Sequence, residues 1–168
     1  LMSERLSHRG PDAEGVWVEG SLGLVHRRLS IVDLSSAGSQ PMRTPDGRYT
    51  IVFNGEIYNY RDLRAQLEQR GVSFLSTSDT EVLLHLYAEK GEAMLDDLRG
   101  MFAFALFDAP RRRRWVARDR IGKRPCFYQI NERGFSFASE IKALIASADE
   151  RPAIDWGGLR VFFGLQYM

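Results

Sequence analysis

Cysteine is nearly absent from this 168-residue chain, where Cys126 stands alone. An internal disulfide is excluded, and a lone thiol suits a reducing, cytoplasmic compartment. An excess of one charge is missing too. Lysine and arginine number 23 against 22 aspartates and glutamates, so no net field draws nucleic acid or an anionic membrane. No apolar run approaches the length of a bilayer span, and no signal-peptide hydrophobic region is present. There is no glycine-rich phosphate loop and no internal repeat. His8 and His26 have no cysteine or second histidine at ligand spacing. His85 has Glu81 and Glu89 one helical turn away, read here as an exposed polar stripe rather than a metal site. What is present is 44% hydrophobic and 27% charged residues, the composition of a globular domain with one sizeable core. The chain begins at Leu1, and it is expected to be a piece of something longer.

Hydrophobic spacing gives the elements. Residues 15–19 and 22–29 read as strands. Leu24 and Val25 are apolar on opposite faces, which predicts cover on both sides. Residues 35–47 read as loop. Tyr49, Ile51 and Phe53 alternate with Thr50 and Val52 as a strand ending near Phe53. Leu63 and Leu67 mark an amphipathic helix over 60–70, closed by Gly71. Ser78-Asp79-Thr80-Glu81 reads as a capping box. It opens a helix that buries Val82, Leu83, Leu86 and Tyr87. Residues 101–107 are apolar on both faces and predict a central strand. Strands follow near 115–118, 126–130 and 135–138, with short connections that predict antiparallel pairing. Cys126 is expected in the core, inert. Arginines 111–114 form a solvated hairpin tip. Short helices are expected over 140–146 and 155–163. The sum is an α+β chain, two packed sheets with helices outside.

One stretch concentrates polar chemistry. Asn54-Gly55-Glu56 follows a strand and precedes a helix. An asparagine amide can donate, and a glycine N–H admits close approach. Two such donors aimed at one point form an oxyanion hole. A type I′ hairpin turn is the plainer reading of Asn-Gly, and the helical spacing after Asn59 counts against it. Arg28 ends a strand, where a cation is either solvated or holds an anion. Asp79 sits in a first helical turn, which alone favours an acid.

In order along the chain, His8-Arg9-Gly10-Pro11-Asp12, Arg28-Leu29-Ser30-Ile31-Val32-Asp33, Asn54-Gly55-Glu56-Ile57-Tyr58-Asn59, Ser78-Asp79-Thr80-Glu81-Val82 and Gly100-Met101-Phe102-Ala103-Phe104-Ala105 resemble class II glutamine amidotransferase domains. Arg118-Asp119-Arg120-Ile121-Gly122 and Ser139-Glu140-Ile141-Lys142-Ala143-Leu144 add to the resemblance. In detail it is to the glutamine-hydrolysing asparagine synthetase branch, and it covers nearly the whole chain. The resemblance implies an N-terminal-nucleophile hydrolase sandwich: two antiparallel sheets between helical layers, here expected to lack the first strand. Residues 1–150 are expected to form the amidotransferase domain. Residues 151–168 are expected to link to an ATP-dependent synthetase domain of the same chain. The family's nucleophile is an N-terminal cysteine, and no cysteine precedes His8 here.

What the resemblance implies about chemistry is specific. A cysteine thiolate attacks the side-chain amide of L-glutamine, with its own α-amine as base. Asn54 and Gly55 form the oxyanion hole. Arg28 takes the α-carboxylate, Asp79 and Glu56 the α-ammonium, and Leu29, Ser30, Ile31 and Val32 line the pocket through their backbones. Arg9 stands beside the nucleophile. No cofactor or metal is expected in this domain, with ATP and Mg2+ in the synthetase domain and aspartate as acceptor. A homodimer is left open. Two alternatives are an amidotransferase serving another acceptor, and a catalytically dead binding or regulatory module of the same fold.

Overall fold

A computed structural model describes residues 1–31, 33–132, 134–148 and 152–166. Val32 and the expected boundary at 150/151 lie outside the described residues. Its centre is a pair of nine-residue strands, β4 (Tyr49–Ile57) and β5 (Gly100–Asp108), antiparallel from Tyr49↔Asp108 to Ile57↔Gly100. β3 (Met42–Arg43) and β6 (Arg113–Arg118) complete a four-stranded sheet in the order β3-β4-β5-β6. β1 (Ala13–Glu19) with β2 (Leu22–Arg28), and β7 (Phe127–Asn131) with β8 (Gly134–Ala138), form two separate antiparallel hairpins.

Alternation along the central strands sorts the layers. Ile51, Phe53 and Ile57 of β4 and Phe102, Phe104 and Leu106 of β5 share the main core with α1 (Tyr60–Gln69) and α2 (Asp79–Lys90). α1 supplies Leu63 and Leu67 to it; α2 supplies Val82, Leu83, Leu86 and Tyr87. Fully buried side chains such as Ile51 and Leu83 each gain about 1.5–3 kcal/mol from leaving water. The opposite face of the sheet carries Val52 and Ala105. They pack with Leu24 of β2 and Phe137 of β8. β5 is thus apolar on both faces because both are covered, as its sequence predicts. α3 (Ile141–Ser147) packs through Ala143 and Leu144 near Leu6. α4 (Trp156–Leu165) is capped by Asp155 and buries no residue.

Several local expectations need correction. β4 does not stop at Phe53: it runs through Asn54 and Gly55 to Ile57, so Asn-Gly is neither a hairpin turn nor a strand end. Gly55 is held in the ladder because β5 comes very close. A Cβ there would lie 2.2 Å from the carbonyl oxygen of Met101. Cover on both faces of β2 is not seen: Val25 is exposed, as are Val16 and Val18 beside it. β6 and β7 do not pair with each other. Ser78 caps α2 by accepting from the N–H of Thr80, but Glu81 does not reach back to Ser78. Its carboxylate accepts from the N–H groups of Leu75 and Ser76 and from Ser76 Oγ, because the chain before the cap folds over the first turn. Glu81 is therefore buried, and the polar stripe expected on α2 is not all exposed. Cys126 precedes β7 and is half-buried rather than in the core.

Candidate active site

Backbone direction alternates along a strand, so every second N–H of β4 faces away from β5. Phe53 and Ile57 show which ones. The N–H of Phe53 donates to Gln40 Oε1 at 2.6 Å, and that of Ile57 to Asp79 Oδ2 at 3.0 Å. Gly55 lies between them in the same phase. Its cross-strand neighbour Phe102 turns its own N–H and C=O toward Asp119. The Gly55 N–H therefore faces the open edge of the sheet, and it has no acceptor among the described residues. β3 reaches only Thr50 and Ile51, which leaves this part of the edge free.

The two flanking clamps also fix the start of α2. Gln40 Nε2 donates to Thr80 Oγ1 at 3.2 Å, while its Oε1 holds Phe53. Asp79 is buried, 4% exposed, and burial pushes its carboxyl above the usual range. The bond from Ile57 opposes that, and the like charge of Glu56 adds to it. Two carboxylates, one of them desolvated, make a place where a cation relieves both burial and repulsion. Glu56 itself is exposed.

On the other side of Phe53, His26 Nε2 lies 3.2 Å from the carbonyl oxygen of Phe53. A carbonyl only accepts, so Nε2 carries the proton. Nδ1 is then a bare acceptor, buried and without a partner among the described residues. Burial lowers the imidazole pKa to about 4, helped by Arg28 and opposed by the Phe53 bond. The ring is neutral near pH 7.

Arg28, at the end of β2, is held by the loop that follows. Its Nη1 donates to Ser35 O at 2.8 Å and to Ser39 Oγ at 3.5 Å; its Nη2 donates to Asp33 O. A guanidinium has five N–H donors, so among the described residues two have no acceptor and no carboxylate pairs with Arg28. The loop is packed tightly: a Cβ on Gly38 would sit 2.6 Å from Arg28 Nη2.

Asn54 projects from the opposite face to Phe53, toward the hairpins. Its Nδ2 donates to Ser139 Oγ at 3.4 Å, which uses one of two amide hydrogens. Beside Ser139, Glu140 gathers Lys142 at 3.0 Å, His8 at 2.9 Å and Arg9 at 3.2 Å. Those bonds lower its carboxyl pKa to about 2. Between the main sheet and the hairpins lies a cavity of about 710 Å3 lined by Leu24, His26, Asn54, Ala103, Cys126 and Phe137, among others. Burial pushes the Cys126 thiol up, against a weaker opposing effect of Arg118. A thiol in that state is a poor nucleophile.

The family model for the glutamine amidotransferase domain matches residues 1–168. The chain belongs to this family. Glutamine-hydrolysing asparagine synthetase 3 of Bacillus subtilis strain 168 is 48% identical over 166 residues, which cover 98% of this chain and 27% of that protein. Asparagine synthetase B of Escherichia coli K12 is 44% identical over 145 residues, 86% of this chain and 26% of that protein. This amidotransferase domain thus spans about a quarter of the length of these relatives. A solved glutamine phosphoribosylpyrophosphate amidotransferase from B. subtilis superposes with a TM-score of 0.62 at 28% identity, over 73% of this chain and 28% of that one. The fold is the N-terminal-nucleophile hydrolase sandwich. Its second layer consists here of two hairpins, β1-β2 and β7-β8, that are not hydrogen-bonded to each other.

The amidotransferase residues picked from sequence fall into two groups. Gly55, Glu56 and Asp79 meet at the β4 edge, with Asn54 adjacent on the inner face. Arg28 stands near His26, and its loop is tied to the start of α2 through Asp33. Ser30 donates its N–H to Asp12 at 2.8 Å, while the side chains of Leu29 and Ile31 point to solvent. Arg9 is engaged by Glu140. Sequence reasoning gave no role to Gln40, His26, Asp33 or Ser139. Gln40 has no periodic or motif signal and His26 only its nearness to Arg28, while Asp33 and Ser139 lie inside stretches that carry the family resemblance, and that membership was the available clue.

Proposed function

We propose that this domain hydrolyses L-glutamine to glutamate and ammonia for an asparagine synthetase. The observation that carries the reading is the β4 edge. There the free N–H of Gly55 and the amide of Asn54 adjoin a cation-seeking pair, Asp79 and Glu56. Arg28 binds the α-carboxylate with its two uncommitted N–H donors. Asp79, with Glu56, takes the α-ammonium. The nucleophile is a cysteine of the full-length protein other than Cys126. Its thiolate adds to the amide carbon, and the carbonyl oxygen becomes an oxyanion. Asn54 Nδ2 and Gly55 N–H stabilise that oxygen. Ammonia leaves with the proton that the cysteine's own α-amine took from the thiol, and water cleaves the thioester to glutamate and the free thiol.

The same reading assigns residues 1–150 to the glutaminase unit and 151–168 to the connection with a synthetase domain. The absence of any buried residue in α4, with Trp156, Phe163 and Leu165 exposed, supports that division. ATP and Mg2+ then act in the synthetase domain, on aspartate, in the cytoplasm. Among the described residues no helix is long and apolar enough to cross a membrane.

The full-length protein, given aspartate, ATP and Mg2+, should make asparagine from either glutamine or ammonia. Ammonia incorporated only into a different acid would assign the domain to another acceptor. No release of glutamate from glutamine would leave a binding or regulatory module.

A further inference from the structure

Asp33 is buried, 8% exposed, between Arg28 and Asp79 and touches neither the edge of β4 nor the cavity. Its two carboxylate oxygens hold two different segments. Oδ1 accepts from the N–H and Oγ of Ser35, at 2.8 and 2.6 Å. Oδ2 accepts from the N–H and Oγ1 of Thr77, at 2.8 and 3.0 Å. Ser35 belongs to the loop whose carbonyls grip Arg28, and the carbonyl of Asp33 itself is one of those grips. Thr77 immediately precedes Ser78, the cap of α2, and Asp79 follows it. Four donors hold this carboxylate, and it forms no ion pair among the described residues. Such hydrogen bonding favours the charged form, here to a pKa of about 2, so the strut stays ionised through the whole working range.

We infer that Asp33 is a positioning residue that fixes the separation between Arg28 and Asp79. It thereby sets the demand for a ligand carrying both an α-carboxylate and an α-ammonium. The inference rests on the glutamine pocket proposed above. A two-point clamp discriminates through the distance between its points, and geometry held rigid before binding is what gives that discrimination its strength. Asn at position 33 cannot accept at both ends, so one of the two segments is released.

The experiment uses the full-length protein and three amides. L-Glutamine presents both charged groups. 4-Aminobutanamide lacks the carboxylate, and glutaramate lacks the ammonium. KM is measured for glutamine, and inhibition constants for the two truncated amides. Asp33→Asn should raise the glutamine KM about tenfold, the order expected for losing a charge-assisted hydrogen bond. It should leave both inhibition constants within about twofold of the unmodified protein's, since one-point ligands do not read the spacing. Thr77→Val, which removes a single bond, should show the same pattern more weakly, and it decides the matter if Asp33→Asn does not fold. Equal weakening of all three ligands would mean that Asp33 merely stabilises the fold, and would overturn the inference. Arg28→Ala tests the pocket separately: it should weaken glutaramate and leave 4-aminobutanamide unchanged. If it does neither, the pocket assignment fails whatever Asp33→Asn shows.

Discussion

The N–H of Ile57 donates to Asp79 Oδ2 at 3.0 Å, across 22 residues of sequence. This bond fastens the first turn of α2 to the open edge of the central sheet, one N–H beyond Gly55. With the Gln40 clamp on Phe53, it brackets a single unpaired backbone donor. The edge is otherwise a liability, since unpaired strand groups invite unwanted pairing. Here a helix start and a loop cover it on either side of the one position proposed to act.

If Asp79 holds the ammonium as proposed, glutamine use should be sensitive to acid. Burial, reinforced by Glu56, raises its carboxyl pKa, so protonation begins at a less acidic pH than for an ordinary aspartate. In the proposed pocket the ligand ammonium needs the charged form. As pH falls toward the carboxylate range, the glutamine KM should rise. Asp79→Asn should have a high KM throughout and lose that dependence. KM against pH for both proteins checks this, and an unchanged pH dependence in Asp79→Asn would remove Asp79 from the ammonium site.

His26 should make folding stability fall in mild acid. Its folded pKa of about 4 lies below the ordinary value of 6.5. Between those values the unfolded chain binds more protons, so stability is full above pH 6.5 and declines as pH drops toward 4 and below. His26→Gln keeps a donor for Phe53 O without a titrating ring. Denaturant unfolding at pH 7 and 4.5 should show a smaller loss for the variant, and an equal loss would contradict the buried neutral tautomer.

Cys126→Ala should leave glutamine hydrolysis by the full-length protein intact, at a stability cost of about 1 kcal/mol, typical of a half-buried site. Thermal unfolding and initial glutaminase rates read the two effects. Loss of hydrolysis at normal stability would make Cys126 the nucleophile. The 168-residue chain alone should release no glutamate, since it holds no other cysteine.

How far the sequence foretold this depends on the element. Residues 101–107 announced a doubly covered strand because burial on both faces leaves no polar alternation to read. Leu63 and Leu67 placed α1 by spacing alone. The extension of β4 through Asn54-Gly55 was hidden, because that dipeptide favours a turn locally while β5 imposes pairing from 45 residues away in sequence, Met101 against Glu56. Glu81 misled for a similar reason: capping-box spacing is local, but Leu75 and Ser76 arrive by a fold-back of the chain that no spacing encodes. The residues proposed to face the ligand were legible as motifs: Asn54, Gly55, Asp79. The groups that hold them, Gln40, Asp33 and Ser139, lie in loops, where hydrogen bonds depend on tertiary approach rather than periodicity.

The central claim is that Asn54 and Gly55 stabilise an oxyanion. Gly55 is unsuited to the test, because a side chain there collides with Met101. Asn54→Ala removes one donor from a half-buried position inside a well-held strand. Glutamine-dependent and ammonia-dependent product formation should be measured for this variant in the full-length protein. The glutaminase kcat should fall by about 100- to 1,000-fold, since the oxyanion exists only in the transition state, with KM little changed. Ammonia-dependent synthesis should persist. Full glutamine-dependent turnover by Asn54→Ala would contradict the assignment and put the chemistry elsewhere.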